Sequence, residues 1–201
     1  MCNSFLEVNM QKPKKMNQFR KSLISRPLLA GAAAAGALAL AGGAAQGAIF
    51  AKITTPTITG DATAPGHEGE IELFSFQEGW GRTSKYGNSG VVLGRAACSG
   101  VTVTKSVDRS SLPLVDTIIK GNSLGKVVIS ITRESASGTP VNFYTITLHN
   151  AVVDGISQSS GGDRPSESLS FVPLTIDLSY QPGAGDAKTS PPITSSIDCR
   201  Q

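Results

Sequence analysis

The sequence predicts a mainly β domain, an antiparallel β-barrel or a pair of packed sheets with one short α-helix on its flank. Three features point there. Beyond residue 48 the apolar residues recur with a period of two, which half-buried strands require. Clusters of Gly, Pro, Ser and Asn separate these segments as turns. One segment alone, near 108–123, carries helical spacing instead. Strands in succession with a lone helix fit a barrel or sandwich.

Taken in order, "AIFAKI" at 48–53 is a short apolar segment suited to a first strand. "TTPTITGDATAPGHEG" follows as a long loop punctuated by Pro56, Gly60, Pro65 and Gly66. "EIELFSFQEGW" alternates until Leu73-Phe74, where the break implies either a bulge or a strand buried on both faces. "GRTSKYGNSG" is a polar, flexible connection, and "VVLGRAACSGVTVTKSV" then alternates through Val101, Val103 and, beyond Lys105, Val107. In "DRSSLPLVDTIIKGNS" the residues Leu112, Val115, Ile118 and Ile119 predict one buried helical stripe. Ser110 or Ser111 can cap its start, Pro113 suits the first turn, and Gly121 can end it in the left-handed conformation. Strands resume in "KVVISITRES", "VNFYTITLHNAVVDGISQ" and "ESLSFVPLTIDLSY", where Ile146, Leu148, Leu169, Phe171, Ile176 and Leu178 mark apolar faces. "SSGGDRPS" joins the last two as an antiparallel turn, and 181–201 reads as a flexible tail rich in Pro, Gly, Ser and Thr.

The first 47 residues have a different character. Lys12, Lys14, Lys15, Arg20, Lys21 and Arg26 precede the uncharged run "LLAGAAAAGALALAG", the order of a secretory signal. Ala45 and Gly47 place cleavage after Gly47. The run is too short and too rich in Ala and Gly for a membrane anchor, so no stable span is expected after cleavage. Six of the 18 basic residues and one of the 15 acidic residues lie in 1–47, so the formal charge of +3 becomes about −2 without them. That balance gives no support for nucleic-acid binding. The 154 residues that remain suit one domain able to bury a core without disulfides. Cys98 and Cys199 either pair in an oxidising compartment or leave Cys98 buried and free.

No catalytic, cofactor or metal residues are assigned. "YGNSGVVLG" places Ser89 between Asn88 and Gly90, similar to the Gly-Asp-Ser-Gly of trypsin-like proteases, and His67 lies among Asp61, Glu68, Glu70 and Glu72. The motif's Asp is Asn here and the domain is too short for a double barrel, so Ser89 reads as a turn residue. His67 and His149 have no neighbouring Cys or His at ligand spacing, and His149 reads as a strand-end surface residue. No Gly-rich phosphate loop is present.

"AIFAKI", "GHEGEIELFSFQEGW", "VTVTKSVDRSSLPLVDTIIKGNSLGKVVISITR" and "YTITLHNAVVDGISQSSGGDRPSESLSFVPLTIDLSY" together resemble the Hcp (haemolysin-coregulated protein) family of type VI secretion tube proteins. The likeness spans Ala48 to Tyr180, and "TKSVDRSS" and "DRPSESLSF" are its most specific blocks. It implies a β-barrel of two sheets that assembles as a hexameric ring, with rings stacking into a tube inside a sheath and under a spike. It also implies lumens that carry small effectors, and no catalytic residues or cofactors. The loop 54–66 matches the extended loop implicated in stacking. Tube subunits of this family ordinarily begin near "AIFAKI" without a cleaved signal and assemble in the cytoplasm. Two functions follow from the sequence: a tube subunit, or an exported relative acting as a binding, surface or matrix module.

Overall fold

The computed structural model describes residues 47–135, 139–184 and 190–200. The export segment read at 1–47 and the residues before its cleavage site lie outside these, apart from Gly47 itself. In chain order the described elements are β1 (Ile49–Thr55), β2 (Thr57–Ile58), β3 (Ile71–Leu73), β4 (Ser75–Gln77), β5 (Trp80–Gly87), β6 (Gly90–Cys98) and β7 (Val101–Ser106). Helix α1 (Ser111–Lys120) precedes β8 (Leu124–Glu134), β9 (Pro140–Ser159), β10 (Ser166–Val172), β11 (Thr175–Tyr180) and β12 (Ile193–Asp198).

All pairings are antiparallel. One sheet runs from β2 and β3 through β1, β8 and the first half of β9 to β11 and β12; the other runs from the second half of β9 through β10 and β7 to β4. β9 therefore belongs to both. It turns between them near Asn150, whose φ of 48° is left-handed, a conformation that Asn tolerates better than most side chains. Between the sheets lies a continuous core of alternating residues, with Val127, Ile129, Ile146, Leu148 and Ile176 wholly removed from solvent. The apolar faces expected at Leu169, Phe171, Ile176 and Leu178 all pack there.

The break at Leu73-Phe74 is neither a bulge nor a doubly buried strand. β3 pairs with β1 while β4 pairs with β7, so the chain crosses from one sheet to the other at Phe74. At this corner the Phe74 N–H donates to the Thr104 carbonyl (2.7 Å), and its ring is left exposed.

Helix α1 has the expected span, and Gly121 ends it with φ 65° while its N–H meets the carbonyl of Ile118. Its buried stripe matches the prediction in part: Ile118 packs half-buried against the core and Val115 is half-buried. Ser111, Leu114 and Thr117 face the core, whereas Leu112 and Ile119 are each 76% exposed. Helical spacing fixes which residues share a face, but polar anchors at Ser111 and Thr117 decide which face turns inward. Thr117 donates to the Leu114 carbonyl, so its hydroxyl is buried without loss.

Two connections also differ from expectation. "GRTSKYGNSG" is the turn end of a β5–β6 hairpin, not a flexible loop. The segment 181–201, read as a flexible tail, includes β12, whose six residues pair with the whole of β11. Its short Ile-Thr-Ser-Ser-Ile alternation was hidden among turn-forming residues.

Candidate functional site

The β5–β6 hairpin is the feature most exposed for interaction. Among the described residues its strands pair only with each other, and every residue of both is exposed except Cys98. Asn88 and Ser89 form the two-residue turn, closed by Gly90 at φ 123°, where a side chain would be strained. At the base, Ser99 holds the Gly79 carbonyl through its N–H (2.8 Å) and its hydroxyl (3.0 Å). The exposed residues are notably apolar. Tyr86 stands opposite Val91, Lys85 opposite Val92 and Ser84 opposite Leu93, and Tyr86 is 95% exposed. Three successive apolar residues place apolar groups on both faces of the ribbon, a pattern that marks a surface meant to be covered.

A disulfide anchors the hairpin. Cys98 is bonded to Cys199, with S–S 2.08 Å, χ3 −81° and Cα–Cα 5.3 Å. Of the two alternatives for these cysteines, the structure has the bridge. It fixes the end of β6 to the residue that follows β12, and the Arg95 guanidinium adds a long contact to the Arg200 carbonyl (3.5 Å).

Beneath the opposite flank lies a buried ionic network that sequence reasoning missed. Lys105 occupies the third inward position of β7 after Val101 and Val103, and is 1% exposed. Its Nζ meets Glu167 Oε2 at 2.7 Å and Asp108 Oδ1 at 2.7 Å. It also donates to Ser111 Oγ and to the Ser106 carbonyl, each at 3.0 Å. Glu167 receives the Ser111 hydroxyl (2.9 Å) and the Gln158 amide (2.6 Å). Asp108 accepts from the N–H and hydroxyl of Ser110. Burial by itself would raise the Asp108 carboxyl, but the bonds from Lys105 and Ser110 prevail and hold it below its ordinary value. Ser110, at the cap position, makes no side-chain cap bond, and Ser111 instead receives the Asp108 N–H (3.0 Å). These residues lie in "TKSVDRSS" and "DRPSESLSF". The network ties helix, β7 and β10 into one body, with its charges paired inside the fold.

The loop 54–66, which by resemblance matches the extended loop implicated in stacking, is folded back, with β2 paired to β1. Gly60 and Ala62 donate to Gly69 and Glu70, and Gly69 returns a bond to Ala62. A side chain at Gly60 would strike the Glu70 carbonyl at 2.3 Å, so this approach needs glycine. His67 stacks on Phe50 (centroids 4.2 Å apart, 11° between planes) and its Nδ1 lies 2.7 Å from Glu70 Oε2. Ile58, Ala62 and His67 are buried. The projecting element is the hairpin 80–98.

His67 is thus a packed residue, and Ser89 occupies the exposed hairpin turn with no hydrogen bond joining the two. Asp61 pairs with Arg109 (2.7 Å), and Glu68 accepts the Gly66 N–H (3.0 Å). Glu72 lies on β3 at the mouth of a surface depression of about 220 Å³ shared with Asp61 and Asp108. His149 is half-buried mid-strand, its Nε2 2.7 Å from Asp177 Oδ2. Among the described residues no group of three His, Cys, Asp or Glu side chains could hold a metal ion. No helix among them is long and apolar enough to cross a membrane.

Comparison with known proteins finds similar sequences and folds. The profile of the family described as "Type VI secretion system effector, Hcp" matches residues 50–180. The "Major exported protein" of Pseudomonas aeruginosa is 31% identical over 111 residues, covering 55% of the chain and 64% of that protein. Among solved structures, one described as a type six secretion system protein superposes with TM-score 0.67 at 22% identity, over 76% of this chain and 96% of its own. Hcp1 from Salmonella typhimurium superposes with TM-score 0.62 at 19% identity, over 76% and 94%. At such identities these superpositions establish the shared fold.

Proposed function

The chain belongs to the Hcp family of the type VI secretion system, structural secretion proteins, and from that premise we propose that it is a non-enzymatic, ring-forming subunit of the secretion tube. The observation that carries this reading is the free-standing hairpin with Tyr86, Val91, Val92 and Leu93 exposed. Apolar groups on both faces of a two-stranded ribbon are a liability in a monomer. Closed, symmetric association covers the same surface in every copy. A hexameric ring, stacking of rings, contacts with spike and sheath, and carriage of small effectors belong to the same proposal.

The test is sedimentation and negative-stain imaging of the full chain beside Leu93→Asp. Rings in the first and their loss in the second are expected. A monomer at every concentration overturns the reading. For effector carriage, small proteins should co-purify with the ring and be lost with Leu93→Asp.

One observation favours a second reading, an exported binding or surface module. The Cys98–Cys199 bond belongs to an oxidising compartment, and the relative in Pseudomonas aeruginosa is called an exported protein. N-terminal analysis of the protein from each cell fraction separates the two. A chain beginning at Ala48 and found only outside the cytosol supports the exported module, and an uncut chain in cytosolic rings supports the tube.

A further inference from the structure

β12 is the last strand of its sheet, and it covers the full length of β11, with Thr175–Tyr180 opposite Asp198–Ile193. Beyond this backbone ladder, its side-chain hold is slight. Of its six residues only Ile197 is shielded, opposite the fully buried Ile176, and Ile193 at the far end is 64% exposed. Ser196 adds a bond to Asp177 (2.6 Å). The firm attachment is at Cys199, half-buried, bonded to Cys98 and held through its N–H by the Leu174 carbonyl (3.0 Å). A strand so attached sits at the low end of local stability once the covalent bond is gone. Its departure leaves the backbone groups on one side of β11, those of alternate residues, in need of a partner, while the other side stays paired to β9.

We propose that β12 is a removable cover, locked by Cys98–Cys199, over an edge that otherwise pairs with a second copy of this chain. Oxidation closes the edge and reduction opens it. The inference rests on the self-association proposed above and adds, beside the hairpin contact, a second contact at the β11 edge and what gates it. The family match ends at Tyr180, the last residue of β11, so the cover lies past the segment that matches the family. Beneath the cover, Ile176 and Leu178 alternate with Asp177 and Ser179. The edge therefore fits an extended strand of matching alternation, and a second copy presents such strands at the same concentration as the edge itself. The redox step balances with a dithiol. One thiolate attacks a sulfur of the bridge and forms a mixed disulfide; the second displaces the protein sulfur. Cys98 and Cys199 leave as thiols, having gained two electrons and two protons, and the reagent leaves as a cyclic disulfide.

Light scattering across a concentration series tests this on the full chain, with and without a dithiol, beside Cys199→Ser and a chain lacking 190–201. The chain's one tryptophan, Trp80, is paired opposite Cys98, so its fluorescence reports opening of the bridge directly. The reduced, Cys199→Ser and shortened chains are expected to associate with dissociation constants lower than the oxidised chain's by about tenfold or more. The β11 amides directed at β12, unlike those bonded to β9, should resist exchange in the oxidised chain at any concentration, and in the shortened chain only when it is associated. Equal association by all four overturns the gate and leaves self-association standing. Absence of association in all four overturns both. Should the shortened chain fail to fold, Cys199→Ser and the reduced chain decide alone.

Discussion

Lys105 and Glu167 stand directly opposite each other on β7 and β10, their charged ends 2.7 Å apart and both within 2% of complete burial. Each occupies an inward position where the strand's alternation otherwise supplies an aliphatic or aromatic side chain. Removing Lys105 strands two carboxylates, Glu167 and Asp108, at a cost of about 3–5 kcal/mol, whereas removing Glu167 leaves Lys105 paired with Asp108. Lys105→Met is expected to destabilise by that order in urea unfolding, and Glu167→Leu by less. The double variant should be more stable than Lys105→Met alone, because one of the two stranded carboxylates is removed with its partner.

Asp108 makes the network sensitive to acid. Its folded pKa is depressed, so its contribution to stability is complete above the unfolded value of about 3.9. It is lost as the pH falls through the lower folded value. Urea midpoints should therefore decline below about pH 4, and Asp108→Asn should flatten part of that decline. At neutral pH the Asn variant should be the less stable chain.

Glu78 has the opposite sign. It lies near the base of the hairpin, where desolvation raises its pKa despite the long bond donated by Tyr144 (3.4 Å), and Oε2 has no partner among the described residues. A raised carboxyl pKa favours folding below the unfolded value and loses that advantage as the pH rises through the folded one. Glu78→Gln should accordingly raise the melting temperature at pH 8 more than at pH 4, as calorimetry would show.

The bridge between Cys98 and Cys199 closes a long loop, the two residues being 101 positions apart. Cys98→Ser is expected to lower stability by about 2–4 kcal/mol. Intact mass before and after alkylation, with and without reductant, should show both thiols blocked in the native protein.

Hairpin substitutions should behave differently from all of these. Val92→Asp and Leu93→Asp alter side chains exposed on the ribbon, so monomer stability should change by no more than about 0.5 kcal/mol. Sedimentation of the same variants should show self-association lost.

Much of this was legible in the chain because it is local. Period-two alternation marked β7 to β11, and Gly121 marked the end of the helix. The rest depended on partners distant in sequence. Lys105 and Glu167 are 62 positions apart, and each reads alone as an exposed strand charge; only their register makes them a buried pair. Leu112 and Ile119 kept the helical spacing but lost the core to Leu114, because Ser111 was claimed by Lys105 and Glu167. Val91 to Leu93 read as an ordinary strand start, and no local property separates an apolar strand with a sheet to cover from one without. The tail concealed β12 because a strand added to a sheet edge draws on backbone bonds more than on apolar side chains.

β9 is one unbroken strand of 20 residues belonging to both sheets. Tension along it does not unzip one ladder bond after another. It loads the ladders to β8, β11 and β10 in shear, so many bonds resist together, and the covalent chain itself carries load from one sheet to the next. The two-sheet fold should therefore resist extension along the β9 axis more than at the Phe74 corner, where the chain passes between sheets with its side chain exposed.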